Sequence, residues 1–308
     1  MHFNKLDLNL LVAFDALCKE RNITRAAERL HMSQSAMSHA LRRLRTYFDD
    51  ELLVQVGRKM ELTQRARTLH EAVGEMLQRL ENTLSASPAF DPSQSDRTFT
   101  IFASDYSLEL IVPRMLQRAA RQGSQVRFRL EPQISHPDRP LDRGEADLLL
   151  IPSQFCSKLH PSAALFEESL VCVLWKDSAL AQEPLTTERF LNAGHVAMMP
   201  TETDEAAFER PLLQRFGAGR RIEVVTYNFS SLPHLVVGTE YIAVVHTRLA
   251  RTVQATLPVV LRELPLPLPS IVQSMQWHKY RSDDAGLHWL RSLMQEVAHS
   301  IIAEDHPV

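Results

Sequence analysis

Apolar positions between Asn22 and Phe48 fall into two short helical stripes separated by three residues. Ile23, Ala26, Ala27 and Leu30 recur at helical spacing, with Asn22 or Thr24 available as N-cap. His31-Met32-Ser33 interrupts the pattern, and Ser33 is suited to cap a second helix carrying Met37, Leu41, Leu44 and Phe48 on one face. At about 100° per residue, Ser35, Ser38, His39, Arg42 and Thr46 fall on the opposite face. No Asp or Glu occurs from Arg29 to Phe48, whereas Arg29, Arg42, Arg43 and Arg45 do. Short hydrogen-bonding side chains near a helix N-terminus, with arginines farther along, fit a DNA major groove. An ordinary helical hairpin with a solvated basic face would show the same pattern, and that is the commoner fate of such a face.

Before this pair, Leu6, Leu10, Phe14 and Leu17 mark a helix, and Leu8, Leu11 and Val12 beside that stripe predict burial on more than one side. After it, Leu52 to Val56 and Lys59 to Leu62 read as a hairpin, or wing, turning at Gly57-Arg58. A turn tipped by Arg58 and Lys59 either reaches a phosphate or the minor groove, or is simply solvated. Leu62, Ala66, Leu69, Val73, Met76, Leu80 and Thr83 then alternate steps of four and three along a helix from Thr63 to Ser85, with Leu77 and Leu84 widening the seam. Such a helix runs about 34 Å, too long for a small domain to cover alone. It reads as a linker and dimerisation helix, with packing onto its own domain as the alternative.

Ser85 to Ser95 is polar and marked by Pro88 and Pro92, a linker composition. Beyond it, short β-branched runs alternate with helical stretches. Strands are predicted at Phe99–Ala103, Val126–Leu130, Leu148–Ile151, Leu170–Trp175, His195–Met199, Ile222–Thr226, Tyr241–Val245, Val259–Leu264 and Ile271–Trp277. Helices are predicted at Leu108–Arg121, Thr187–Leu191, Glu205–Phe216 and Asp284–Ile302. The alternation predicts mainly parallel sheets with helices on both faces. Leu170–Trp175 crosses to a second α/β lobe and Ile271–Trp277 leads back, which makes a hinged cleft.

The expected fold class is therefore α/β with an all-α winged helix-turn-helix N-terminal domain (residues 1–62). A linker and dimerisation helix follows (63–89), then a two-lobed periplasmic-binding-protein-like domain (90–308) with lobe I at about 97–168 and 276–302 and lobe II at about 169–275, which the family resemblance given below implies is an effector domain.

A chain of 308 residues is ample for two or three domains. No apolar run approaches the roughly 18 residues of a membrane span, and Asp7 and Asp15 interrupt the N-terminal apolar segment, which is not read as a signal peptide. Cys18, Cys156 and Cys172 form no CxxC pair, so a reducing cytoplasm is the expected setting. The net charge of -3 hides an asymmetry: residues 1–65 hold eleven Lys/Arg against eight Asp/Glu, and the remainder 23 against 29. Phosphate affinity must then come from where the charges sit. Enzyme readings find little support. Only nine glycines occur, with no phosphate loop, no GxSxG elbow and no Cys/His zinc spacing, and thirteen histidines lie outside HxH or HExxH patterns. No cofactor or metal is called for.

The order of apolar helix, helix-turn-helix, wing and long helix from Leu6 to Ala66 resembles the N-terminal domain of LysR-type transcriptional regulators. Leu10-Leu11-Val12-Ala13-Phe14, Thr24-Arg25-Ala26-Ala27, Ser33-Gln34-Ser35-Ala36-Met37-Ser38 and Leu62-Thr63 carry the likeness. Gln55 stands where many members have an arginine in the first wing strand. Phe90-Asp91-Pro92, Ser95-Asp96-Arg97-Thr98-Phe99, Ser104-Asp105, Val171-Cys172-Val173, Gly194-His195-Val196 and Trp277-His278 look like the branch of nodulation and salicylate-type regulators, which respond to flavonoids, phenols and aromatic acids.

The resemblance implies double-stranded promoter DNA with two-fold related half-sites as partner, a homodimer through the linker helix, a homotetramer, and a small aromatic effector. Thr24, Ser33, Gln34, Ser35, Ser38, His39, Arg42, Arg43 and Arg58 are the expected DNA-contacting residues, the first ones reading base edges and the arginines engaging phosphates or deepening groove contact. For the effector, Ser104 and Asp105 lie at a strand-to-helix junction of the kind that binds ligands in doubly wound sheets. Asp105 makes a phenol or hydroquinone at least as plausible as a carboxylate, or is just a helix cap. Pro152 is expected at the cleft mouth, His195 in the cleft wall, and Phe229 and Trp277 stacked on an aromatic ring, although core packing is the commoner role for the last three. The competing reading is a two-lobed binding protein or enzyme whose N-terminal helices serve protein contacts.

Overall fold

A computed structural model of the chain describes residues 7–57, 59–84, 90–133, 137–199, 221–266 and 270–305. The expected helix at Glu205–Phe216, Arg58 and residues 85–89 of the expected linker lie outside those residues. Packing divides the chain into two units, Met1–Ser87 with Asp142–Glu145, and Pro88–Leu141 with Ala146–Val308.

The first unit opens with α1 (Leu8–Glu20), α2 (Ile23–Arg29) and α3 (Gln34–Phe48). Each start is fixed by a side chain that takes up an orphan backbone N–H. Asp7 accepts from Asn9 at 2.9 Å, Asn22 from Thr24 and Arg25 at 2.9 and 3.1 Å, and Ser33 from Ala36 at 3.2 Å. Asn22 is thus the cap of α2, leaving the Thr24 hydroxyl on the surface. The α2–α3 turn places His31 in the left-handed region (φ 53°), and Met32 N–H closes on Ala27 O at 2.9 Å. Phe14, Leu17, Met37 and Leu44 are buried at the centre of the three helices, whereas Leu8 and Val12 remain exposed on α1.

Strands β1 (Leu53–Val56) and β2 (Lys59–Leu62) form the antiparallel hairpin, and Gly57 supplies the positive φ its tight turn needs. Helix α4 (Gln64–Leu84) follows, capped by Thr63, whose hydroxyl accepts from Ala66 N–H at 3.0 Å and donates to Asp50 at 2.6 Å. Ala66 and Val73 are buried and Leu69 and Leu77 half-buried in the same core as α1. The first half of the expected coiled-coil seam therefore covers its own domain, while Met76 turns outward.

The second unit contains two five-stranded sheets. Lobe I is built from β3 (Thr98–Ala103), β4 (Arg127–Pro132), β5 (Leu148–Pro152), β6 (Ser162–Glu168) and β12 (Ile271–Gln276), in the order β4-β3-β5-β12-β6. Lobe II is built from β7 (Leu170–Trp175), β8 (Gly194–Met198), β9 (Arg221–Thr226), β10 (Tyr241–His246) and β11 (Val259–Glu263), in the order β11-β7-β10-β8-β9. Both sheets are mixed rather than mainly parallel. Each has three parallel strands on one side, and each gains two strands joined through antiparallel pairing where the chain crosses between lobes, with only β12 and β7 running against the rest. The first crossing falls at Ser169 and the return comes after β11 ends at Glu263; β12, from Ile271, pairs wholly within the lobe I sheet rather than at its border.

Helices α5 (Asp105–Leu110) and α6 (Val112–Arg121) replace the single helix expected there; Pro113 near the start of α6 has no N–H to continue the ladder from α5. Lobe II carries α7 (Thr187–Asn192) and α8 (Thr247–Gln254), the latter not anticipated from the sequence. The closing helix α9 (Ala285–Asp305) buries Leu287, Leu290, Leu293, Met294 and Val297 against lobe I. Arg97 clamps its start, donating two 2.7 Å bonds to Asp284, which also accepts from Arg281 at 3.1 Å.

Candidate DNA-contacting surface and interlobe cleft

In the first unit, amphipathicity decides which side of α3 is free. Met37, Leu41, Leu44 and Phe48 fill the core, so Gln34, Ser35, His39, Arg42, Arg43 and Thr46 stand exposed and Ser38 half-buried. Ser33 Oγ lies 2.9 Å from Ser35 Oγ, which joins the cap to the first exposed hydroxyl. Thr24 is exposed on the neighbouring helix. The arginines divide by role. Arg45 donates to Glu51 O and Leu53 O, both at 2.8 Å, and so ties α3 to the foot of the hairpin. Arg29 pairs with Glu20 at 2.9 Å. Arg42 and Arg43 have no acidic partner among the described residues, which leaves both guanidiniums available to an external anion. Arg58 lies outside the described residues.

Below this surface, Asp15 sits between Lys19 Nζ at 2.9 Å and His70 Nε2 at 3.1 Å. Burial alone would raise its pKa, but His70 and Lys19 outweigh that and hold the carboxyl below its usual range. Burial pushes the Cys18 thiol up to about 12, so it is an inert core group.

In the second unit, the C-terminal ends of β3 and β5 and of the parallel strands of lobe II define the sides of the cleft. Ser104 caps α5 at the end of β3, its Oγ accepting from Ser107 N–H at 3.3 Å. Asp105 is not the cap but the first residue of α5, and its Oδ2 accepts from Ser230 N–H, across the lobes, at 2.7 Å. Phe229 therefore stands beside it, and Pro152 ends β5 on the same side of lobe I. Ser104, Asp105, Phe229 and Pro152 lie at the strand ends that face the cleft.

His195 and Trp277 lie elsewhere. His195 is the second residue of β8, paired with Ile242 near the start of β10, at the far end of the strand from the cleft. It is fully buried, with Nε2 2.7 Å from Phe190 O and its ring edge-on to Phe190. Trp277 follows β12, which runs antiparallel to β5, so it emerges at the N-terminal end of β5 inside the lobe I core. Its Nε1 donates to Ser282 at 3.1 Å, and Arg291 lies 4.3 Å over the ring. Both residues are thus buried at the strand ends opposite those that carry Ser104, Asp105, Pro152 and Phe229.

A set of side chains that the sequence did not single out joins the lobes beneath Asp105. Tyr106 is fully buried; its hydroxyl donates to Glu168, and its ring stacks on His246 at 3.9 Å with an interplanar angle of 11°. Glu168 pairs with Arg248 at 2.9 Å, and Phe229 meets His246 edge-on at 4.7 Å. Burial pushes the His246 imidazole down to about 3, so it stays neutral at physiological pH. Burial, then the Glu168 carboxylate, pushes the Tyr106 phenol upward, which keeps it a donor. Glu168 and Arg248 bond each other from chain positions eighty apart, a pairing that no local spacing signals.

Residues 8–67 match the family described as bacterial regulatory helix-turn-helix protein, lysR family, and residues 92–299 match the LysR substrate binding domain. The chain belongs to the LysR family of transcriptional regulators. This LysR-type regulator is 41% identical over 298 residues to nodulation protein D 1 of Rhizobium leguminosarum bv. phaseoli, covering 97% of this chain and 95% of that protein. It resembles the crystal structure of a probable transcriptional regulator from Pseudomonas aeruginosa with a TM-score of 0.65 and 30% identity, over 95% of this chain and 97% of the other. It shares the fold of full-length OxyR from Pseudomonas aeruginosa, with a TM-score of 0.76 at 17% identity, over 97% of this chain and 98% of the other. These relatives are regulators, not enzymes, and the N-terminal domain is a DNA-binding helix-turn-helix. Among the described residues, no helix is long and apolar enough to cross a membrane.

Proposed function

We propose that this regulator senses a small aromatic molecule of the phenol, hydroquinone, aromatic acid or flavonoid class and, in the cytoplasm, controls a promoter of an aromatic-catabolism or signal-response operon. The observation that carries the aromatic reading is the 41% identity, across nearly the whole chain, to a nodulation protein D. In this reading Ser33 sets the start of α3, and Gln34, Ser35, Ser38 and His39 read base edges. Arg42, Arg43 and Arg58 engage phosphates, and Thr24 supports them from α2. Ser104, Asp105, Pro152 and Phe229 contact the effector. Two chains pair through α4 beyond the part that covers its own domain, so two recognition helices meet two-fold related half-sites, and pairs of dimers form a homotetramer.

The test uses the full chain and a duplex that it selects from a random library. Binding should weaken steeply from 50 to 200 mM salt. Losing one phosphate contact per protomer in Arg42→Ala should lower the slope of log K against log salt by about 2 for a dimer. Failure to retain any duplex at low salt, or an unchanged slope in Arg42→Ala, would refute the assignment of α3. For the effector, thermal stabilisation of the full chain by phenols, aromatic acids or flavonoids is expected, and its uniform absence would count against the aromatic class.

A further inference from the structure

Beyond the two backbone crossings, side chains join the lobes at two depths. The inner set is Tyr106, Glu168, His246 and Arg248. Separating it would strand a carboxylate that is 1% exposed and an arginine whose side chain is 15% exposed. Its position beside the Ser169 crossing, where Thr247 N–H also donates to Ser169 O at 2.9 Å, makes it a fixed pivot. The outer contact is of another kind. Asp105, the first residue of α5 in lobe I, takes the backbone N–H of Ser230, in the loop after β9 of lobe II, at 2.7 Å. Both residues are half-buried, so water can satisfy each partner once they part.

We propose that Asp105 is a latch: its carboxylate, by holding the Ser230 N–H across the gap, keeps the rim of the interlobe cleft shut over the Tyr106–His246 pivot, and a molecule entering the cleft must release it. The link to regulation rests on the cleft being the effector site, as proposed above; the latch itself does not. A carboxylate accepting from a backbone amide is a charge-assisted bond, stronger than a neutral one and lost entirely when the side chain is truncated. The donor belongs to the backbone, so the Ser230 side chain contributes nothing to it.

Amide hydrogen exchange at Ser230, measured on the full chain without DNA or ligand, tests this directly. In Asp105→Ala the Ser230 amide should exchange about tenfold faster or more, with β10 residues unchanged. Ser230→Ala should match the unaltered chain, and Asp105→Asn, which keeps an acceptor oxygen without the charge, should fall between. Exchange in Asp105→Ala within twofold of the unaltered chain would overturn the latch. So would equal acceleration in Ser230→Ala, or acceleration spread evenly through β10. If Asp105→Ala does not fold, judged by tryptophan fluorescence, Asp105→Asn gives the same readout with a smaller expected change. A chain whose Ser230 responds to Asp105→Ala yet binds no duplex keeps the latch and loses the regulator assignment, so the two failures are distinguishable.

Discussion

Asp284 is where the closing helix of the effector domain meets its first strand, and Asp284→Asn isolates that connection. The carboxylate takes two bonds from Arg97 and one from Arg281, and its Oδ1 also accepts from Leu287 N–H at 3.0 Å. Side-chain exposures of 12% for Asp284, 29% for Arg97 and 9% for Arg281 place the group mostly out of water. Asn keeps the helix-capping oxygen but not the charge, leaving two guanidiniums to share Asp147, which lies 3.6 Å from Arg97 and 2.5 Å from Arg281. Breaking a buried pair on one side costs about 3–5 kcal/mol, and the partial exposure of Arg97 moves the expectation to the lower end, about 3 kcal/mol. For a domain of about 200 residues this corresponds to a fall in melting temperature of roughly 6–12 °C.

Tryptophan fluorescence reads this cleanly, because all three tryptophans, Trp175, Trp277 and Trp289, belong to the effector domain. Burial alone would raise the Asp284 pKa, but Arg97, the Leu287 amide and Arg281 outweigh it and hold the group far below the ordinary carboxylate range. Its folded pKa is thus depressed, so its contribution is fully present above the unfolded carboxylate value and lost as pH falls below about 4. The unaltered chain should lose stability faster than Asp284→Asn across that window. A destabilisation under about 1 kcal/mol at neutral pH, or identical acid profiles, would show that solvent screens the network and that the reasoning fails.

Other outcomes follow from the same structure. His246 is neutral when folded, with its pKa near 3, but titrates near 6.5 when unfolded. Stability should therefore fall as pH drops from about 6.5 toward 3, by up to about 1.4 kcal/mol per pH unit. His246→Phe, which keeps the stack on Tyr106, should flatten that part of the profile in denaturant titrations. Ser33→Ala removes the cap of α3 and should destabilise the N-terminal domain by about 1 kcal/mol, read by circular dichroism, with Ser33→Asp close to the unaltered chain. Arg45→Met removes two bonds to the foot of the wing and should weaken duplex binding more than it changes the salt slope, because Arg45 is held internally.

The N-terminal domain was legible because its signals are local. Caps, turn and apolar stripe lie within successive residues, and Ser33 and Met37 sit where their spacing puts them. Strand β6 was not legible. Ser162–Glu168 carries Ala163 and Ala164 in place of β-branched residues and ends in two carboxylates, and Glu168 is buried only because Tyr106 and Arg248 reach it from far along the chain. The misplacement of His195 and Trp277 has a geometric cause. Alternation tells which face of a sheet a residue occupies, but not which end of the strand opens on the cleft. The antiparallel run of β12 reverses that end for Trp277. Asp105 was picked out for its junction, while its partner Ser230 N–H is a backbone group that no side-chain pattern marks.

Arg45 binds the recognition helix to the base of the hairpin through two carbonyls. The two elements are thereby tied at that point, so a shift of the helix pulls on the base of the hairpin. If they meet a duplex as proposed, groove helix and wing would be set together rather than one at a time.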